Sequence, residues 1–169
     1  MVLTKEELIA ALQNEVRILL HLASKIDRSK LDYRPTPKQR STLELLRYLV
    51  VMGPNLIRAI KAGKIDREAF SAATAEANAL SFDQVLGAIE KQRNTYAELL
   101  STFSDADFRG EIDLLGAGKS SRGAVIVNLV LGGCAAYRTQ LFLYLKACGR
   151  EELNTMNLWG GTDAPMPNI

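Results

Sequence analysis

Three segments of this chain open in the same way. A hydroxyl residue is followed three positions later by Glu or Gln, and then by large apolar residues every three or four positions. Thr4 and Glu7 introduce Leu8, Leu12, Val16, Leu19, Leu22 and Ile26. Ser41 and Glu44 introduce Leu45, Leu49, Leu56 and Ile60. Ser81 and Gln84 accompany Phe82, Val85, Ile89, Tyr96, Leu99 and Phe103. Each opening pair can satisfy two orphan backbone donors at a helix start, and each apolar stripe needs a partner to cover it. The pattern predicts helices over 4–26, 41–63 and 81–103. A fourth helix is expected from about Arg122 to Cys148, with Gly149 as its stop.

With 169 residues, the chain has the length of one domain. It is long enough to bury a core without disulfides. No apolar–polar alternation of the kind strands require is present. The expected fold is all-α, a four-helix bundle over 1–150 with a long connection between the second and third helices. Residues 151–169 form a C-terminal tail that packs on the bundle or extends from it. Asp66 to Leu80, rich in Ala and polar residues, reads as that connection, with a helical turn at most. Pro54 inside the second helix is expected to kink it, because proline removes a donor. Trp159 is the one large residue available to anchor the tail.

Charge narrows the partners. The net charge of +2 is too small, and too evenly spread, to suggest nucleic acid. The longest apolar stretches are interrupted by Asn, Gly, Arg and Gln, so none is expected to span a membrane. The N-terminal residues lack the basic-then-apolar order of a secretion signal. Cys134 and Cys148 lie on the same expected helix, about 21 Å apart along its axis, which excludes a bridge between them. Free thiols fit a reducing, cytoplasmic setting.

Two segments carry more specific information. Leu31-Asp32-Tyr33-Arg34-Pro35-Thr36-Pro37 leads to Ser41 and on through Glu44, Leu45, Leu46, Tyr48 and Leu49. Later come Gly133, Tyr137, Arg138, Gln140, Leu141, Tyr144 and Leu145. Together they resemble the DinB/YfiT-like superfamily, whose members read LxYRPxPxxxSxxELLxHL and HxxxHRxQLxxYL. The resemblance implies a four-helix bundle. It also implies a divalent metal, often nickel or zinc, held by three histidines, and commonly a homodimer. Some relatives are thiol-dependent transferases or isomerases.

The three histidine positions here read Tyr48, Gly133 and Tyr137, and the chain's one histidine, His21, matches none of them. Two phenols and a glycine are a poor donor set for a first-row metal. No cofactor is therefore expected. Gly133 and Tyr137 are four apart and share a helix face. One reading keeps a pocket in which Tyr48 and Tyr137, beside Arg138 and Glu44, bind a small polar ligand. The other has both rings filling space left by metal and histidines, with Gly133 making room for a ring. Arg138 and Gln140 are expected to brace the last helix against the loop at Pro35. Glu44 is the carboxylate within reach of that region.

Other chemistry is weaker. Cys134, mid-helix among small residues, reads as an inert thiol. His21 reads as a satisfied group. Gly116-Ala117-Gly118-Lys119-Ser120-Ser121 lacks the spacing and the preceding strand of a phosphate loop, and reads as a turn before an N-cap. The run from Leu129 to Ala136 is apolar on nearly every side, which suggests that the last helix meets a second subunit, unless the tail covers it. Three functions follow from these alternatives. They are a non-metal, non-catalytic protein binding a small ligand or partner, a thiol-dependent transferase or isomerase using Tyr48 and Tyr137, and a structural dimerisation module.

Overall fold

The computed structural model describes residues 3–116 and 118–166. Helix α1 spans Lys5–Ala23, α2 Thr42–Ala62, α3 Arg67–Asn78, α4 Phe82–Ser101 and α5 Asp105–Arg109. Two-residue strands β1 (Glu111–Ile112) and β2 (Ser120–Ser121) pair antiparallel and close the loop before the last helix. That helix runs from Arg122 to Ala147 in three parts: α6 (Arg122–Val125), a π-helical stretch (Ile126–Leu131) and α7 (Gly132–Ala147). The chain is an all-α bundle of α1, α2, α4 and the last helix.

The capping signals act as expected. Thr4, Ser41 and Ser81 each accept from the backbone three residues on, and Glu7, Glu44 and Gln84 reach back to the cap. Gly63 ends α2 in the left-handed region, with φ of 75°, where a side chain would be strained. The core gathers Leu8, Leu12, Leu22, Leu45, Leu46, Ile57, Ile60, Ile89, Tyr96, Leu100, Ile126 and Leu141.

Four expectations change. The connection over 66–80 is a true helix of 12 residues, opened by Asp66 accepting from Ala69. It has no apolar stripe, and only Ala77 is buried, so periodicity could not reveal it. Its alanines favour a helix by intrinsic propensity alone. The first helix closes at Ala23, three residues early, where the Ser24 hydroxyl donates to the His21 carbonyl. Trp159 is 67% exposed and does not anchor the tail. Leu153 and Asn157 do, both buried, while Arg17 holds the carbonyls of Gly160 and Gly161. Lastly, the helix Arg122–Ala147 is long and apolar enough, by length and composition alone, to cross a membrane. Its Ile126, Val130, Leu141 and Leu145 nonetheless sit in the bundle core.

Helix α2 continues through Pro54 as one element. Proline leaves the carbonyl four residues back, that of Val50, without its helical donor. The buried Gln92 of α4 supplies one: its amide donates to the carbonyls of Val50 and Leu49, each at 2.8 Å. A polar residue thus occupies a position in the apolar stripe of α4. Tyr96, one turn on, lies over Gly53, where an added Cβ would fall 2.1 Å from the phenol oxygen.

Candidate functional site

Tyr48 comes from the second turn of α2 and Tyr137 from α7. Their rings meet edge to face with centroids 5.1 Å apart. The guanidinium carbon of Arg40, in the residue before the Ser41 cap, lies 3.9 Å from the centre of the Tyr48 ring. The backbone holding Arg40 is fixed on both sides. The Tyr144 hydroxyl donates to the Arg40 carbonyl at 2.9 Å, and Thr42 N–H donates to the Tyr33 carbonyl. Gln140 donates to the Tyr144 hydroxyl, and Tyr33 packs edge-on against the Tyr144 ring. The brace between the last helix and the loop at Pro35 therefore runs through Gln140 and Tyr144.

Arg138, expected in that brace, faces the opposite way. It is buried against Glu15 of α1, at 3.3 Å, with the Trp159 ring beyond it. The pair is close, but its geometry is not that of a hydrogen bond, and both Arg138 Nε and Glu15 Oε2 are left without one. Burial raises the Glu15 carboxyl above its usual range, against the pull of Arg138. Glu44 also lies apart from Arg138. It caps Ser41 and pairs with Arg34 at 3.3 Å, and the Ser41 backbone bond, ahead of the Arg34 charge, lowers its pKa. Gly133 makes room for Met52 and not for a ring: an added Cβ would sit 3.3 Å from the Met52 sulfur and methyl. Of the five residues singled out from the sequence, only Tyr48 and Tyr137 are paired in this structure. Arg40 was missed. It precedes a helix cap in a polar loop, and nothing in periodicity points to its stacking.

Both tyrosines are half-buried, and their hydroxyls lie within reach of one another. Neither ring lines the cavities of about 560, 310 and 230 Å³. The cavity of about 560 Å³ lies at the end of the bundle where α1 begins, lined by residues such as Leu8, Phe108 and Val127. Burial, with the neighbouring Tyr137 hydroxyl, pushes the Tyr48 phenol up to about 12, against a smaller pull from Arg40. Tyr48 is thus a neutral donor near pH 7 and would be a poor metal ligand. No group of three or more His, Cys, Asp or Glu side chains that could hold a metal occurs among the described residues. The donors around Tyr48 do not fit the trihistidine metal that the resemblance implies. Cys134, half-buried near Tyr96, has its thiol pushed up to about 12 by desolvation and lacks thiolate character at neutral pH.

An all-α bundle with a tyrosine pair between its second and last helices is the class that fold and geometry define. The sequence matches the DinB superfamily over residues 11–130, and the chain belongs to that superfamily. The match stops before Gly133 and Tyr137. Among solved structures, a DinB-like protein from Bacillus subtilis (YjoA) aligns with a TM-score of 0.62 at 17% identity, covering 84% of this chain and 92% of that one. A mycothiol-dependent maleylpyruvate isomerase aligns with a TM-score of 0.56 at 12% identity, covering 87% of this chain and 61% of that one. At such identities the likeness is one of fold. No curated protein matches the chain.

Proposed function

We propose that this DinB-superfamily protein works without a metal and without catalysis, binding a small molecule at the face formed by Tyr48 and Tyr137. One observation carries the reading: two half-buried tyrosines, on separate helices, meet edge to face with their hydroxyls beside one another. Rings that only filled space would have no need of two polar ends set side by side. The thiol-dependent transferase or isomerase reading needs a group that takes or gives a proton near neutrality. A Tyr48 phenol near 12 and a Cys134 thiol near 12 are poorly tuned for that work. The test is elemental analysis of untagged protein, with nickel and zinc titrations, followed by a ligand screen read at the tyrosine rings. Substoichiometric metal and ligand shifts lost in Tyr48→Phe and Tyr137→Phe are expected. One tightly bound metal per chain would overturn the metal-free reading.

A second observation favours a homodimer as the working unit. On the last helix the outward residues Ala124, Val127, Asn128, Gly132, Ala136, Thr139, Leu143 and Ala147 carry no charge. Leu143 is 59% exposed. An uncharged stripe along a whole helix is the face that a second copy of the chain would cover.

A further inference from the structure

The cluster at Tyr48 contains a positive charge as well as two hydroxyls. The guanidinium carbon of Arg40 lies over the Tyr48 ring, 3.9 Å from its centre. Stacking occupies the face of a guanidinium and leaves its in-plane N–H fork available. Among the described residues, no carboxylate forms an ion pair with Arg40. Nearby Glu44 is taken up by Arg34 and the Ser41 cap. The Tyr144 bond to the Arg40 carbonyl holds the mount in place.

We propose that Arg40, Tyr48 and Tyr137 together form a binding site for a small monocarboxylate, with Arg40 supplying the charge and the two hydroxyls donating to the carboxylate oxygens. The proposal rests on the tyrosine face being a binding site and names the class of ligand it takes. A planar guanidinium fork matches a carboxylate in two parallel hydrogen bonds, and such charge-assisted bonds are stronger than neutral ones. The burial that keeps Tyr48 protonated keeps it a donor across the physiological range. One unpaired cation balances a single negative charge, and a phosphate dianion would be left half neutralised.

The experiment is a titration of protein carrying ¹³C-labelled tyrosine rings with sodium acetate and sodium benzoate, at ionic strength held constant with chloride. Saturable shifts at Tyr48 and Tyr137 are expected, with at least tenfold weaker binding in Arg40→Gln and an intermediate loss in Arg40→Lys. Because Arg40 is exposed, these variants should fold. Unchanged binding in Arg40→Gln, or tighter binding of inorganic phosphate than of either carboxylate, would overturn the assignment. If neutral compounds shift both rings while carboxylates do not, the monocarboxylate fails and the binding face survives. If no compound of either charge shifts them, both readings fail.

Discussion

Gly53 and Gln92 show how a single residue can be forced by a neighbour far away in sequence. Gly53 gives up helix propensity so that the Tyr96 ring can lie on the α2 backbone. Gln92 fills the acceptor that Pro54 strands. Replacing Gly53 by Ala should destabilise the protein by roughly 1–3 kcal/mol, the usual cost of overpacking, in spite of alanine's better propensity. Urea unfolding would show it, and Tyr96→Phe in the same background should recover part of the loss by removing the clashing oxygen. A Gly53→Ala protein as stable as its parent would mean that Tyr96 moves aside freely. The apolar stripe of α4 was legible from Phe82, Val85, Ile89 and Tyr96 alone, but the burial of Gln92 was not, because its reason lies at Pro54 on another helix. Arg40 escaped for the same reason: its partner ring belongs to the next element.

Among elements, the tail is held differently from the helices. The two side-chain N–H groups of its buried Asn157 are shared among His21 Nε2 at 3.1 Å, the Thr162 carbonyl and Asp163, which itself pairs with Lys25 at 2.6 Å. The bond to Asn157 uses the neutral imidazole as an acceptor. Burial, with Lys25 and Arg17 adding to it, holds His21 below its usual pKa, partly opposed by Asp163. A folded pKa below the unfolded one near 6.5 gives stability that is complete above that value and lost as pH falls towards the folded pKa. Acidification from pH 7 to below the usual histidine value should therefore loosen the tail first. NMR signals of the Asn157 side-chain amide, followed against pH, should report the change, and His21→Gln should flatten it. A tail equally ordered at pH 7 and after full protonation of His21 would refute the latch. The sequence marked α1, α2, α4 and the last helix through their stripes and caps. It could not mark α3, whose helix needs no buried face, or the tail, whose hold is polar and long-range.

For the molecule as a whole, the uncharged stripe from Ala124 to Ala147 sets the next expectation. Ala136→Glu places a charge in the middle of that stripe at a site that is exposed in the single chain. A surface change of this kind alters monomer stability by only about 0.5 kcal/mol either way. If two copies pair through this face, the variant should nonetheless run as a monomer in light scattering while the parent runs as a dimer. A parent that is itself monomeric at high concentration would remove the dimer from the proposal. The four-helix architecture and the superfamily were readable from the chain because caps and stripes are local signals. Of the candidate site, the tyrosine pair was readable from motif positions, and the neighbouring arginine only from the folded loop.

The pair Glu15–Arg138 has a different kind of consequence, one for descent. Removing either partner alone strands a buried charge, at a cost on the order of 3–5 kcal/mol. Replacing both with apolar residues of similar size can cost nothing. The route from a charged groove to an oily one thus crosses a valley that a lineage cannot enter one step at a time. Positions 15 and 138 should be inherited as a unit, changing together or staying as they are.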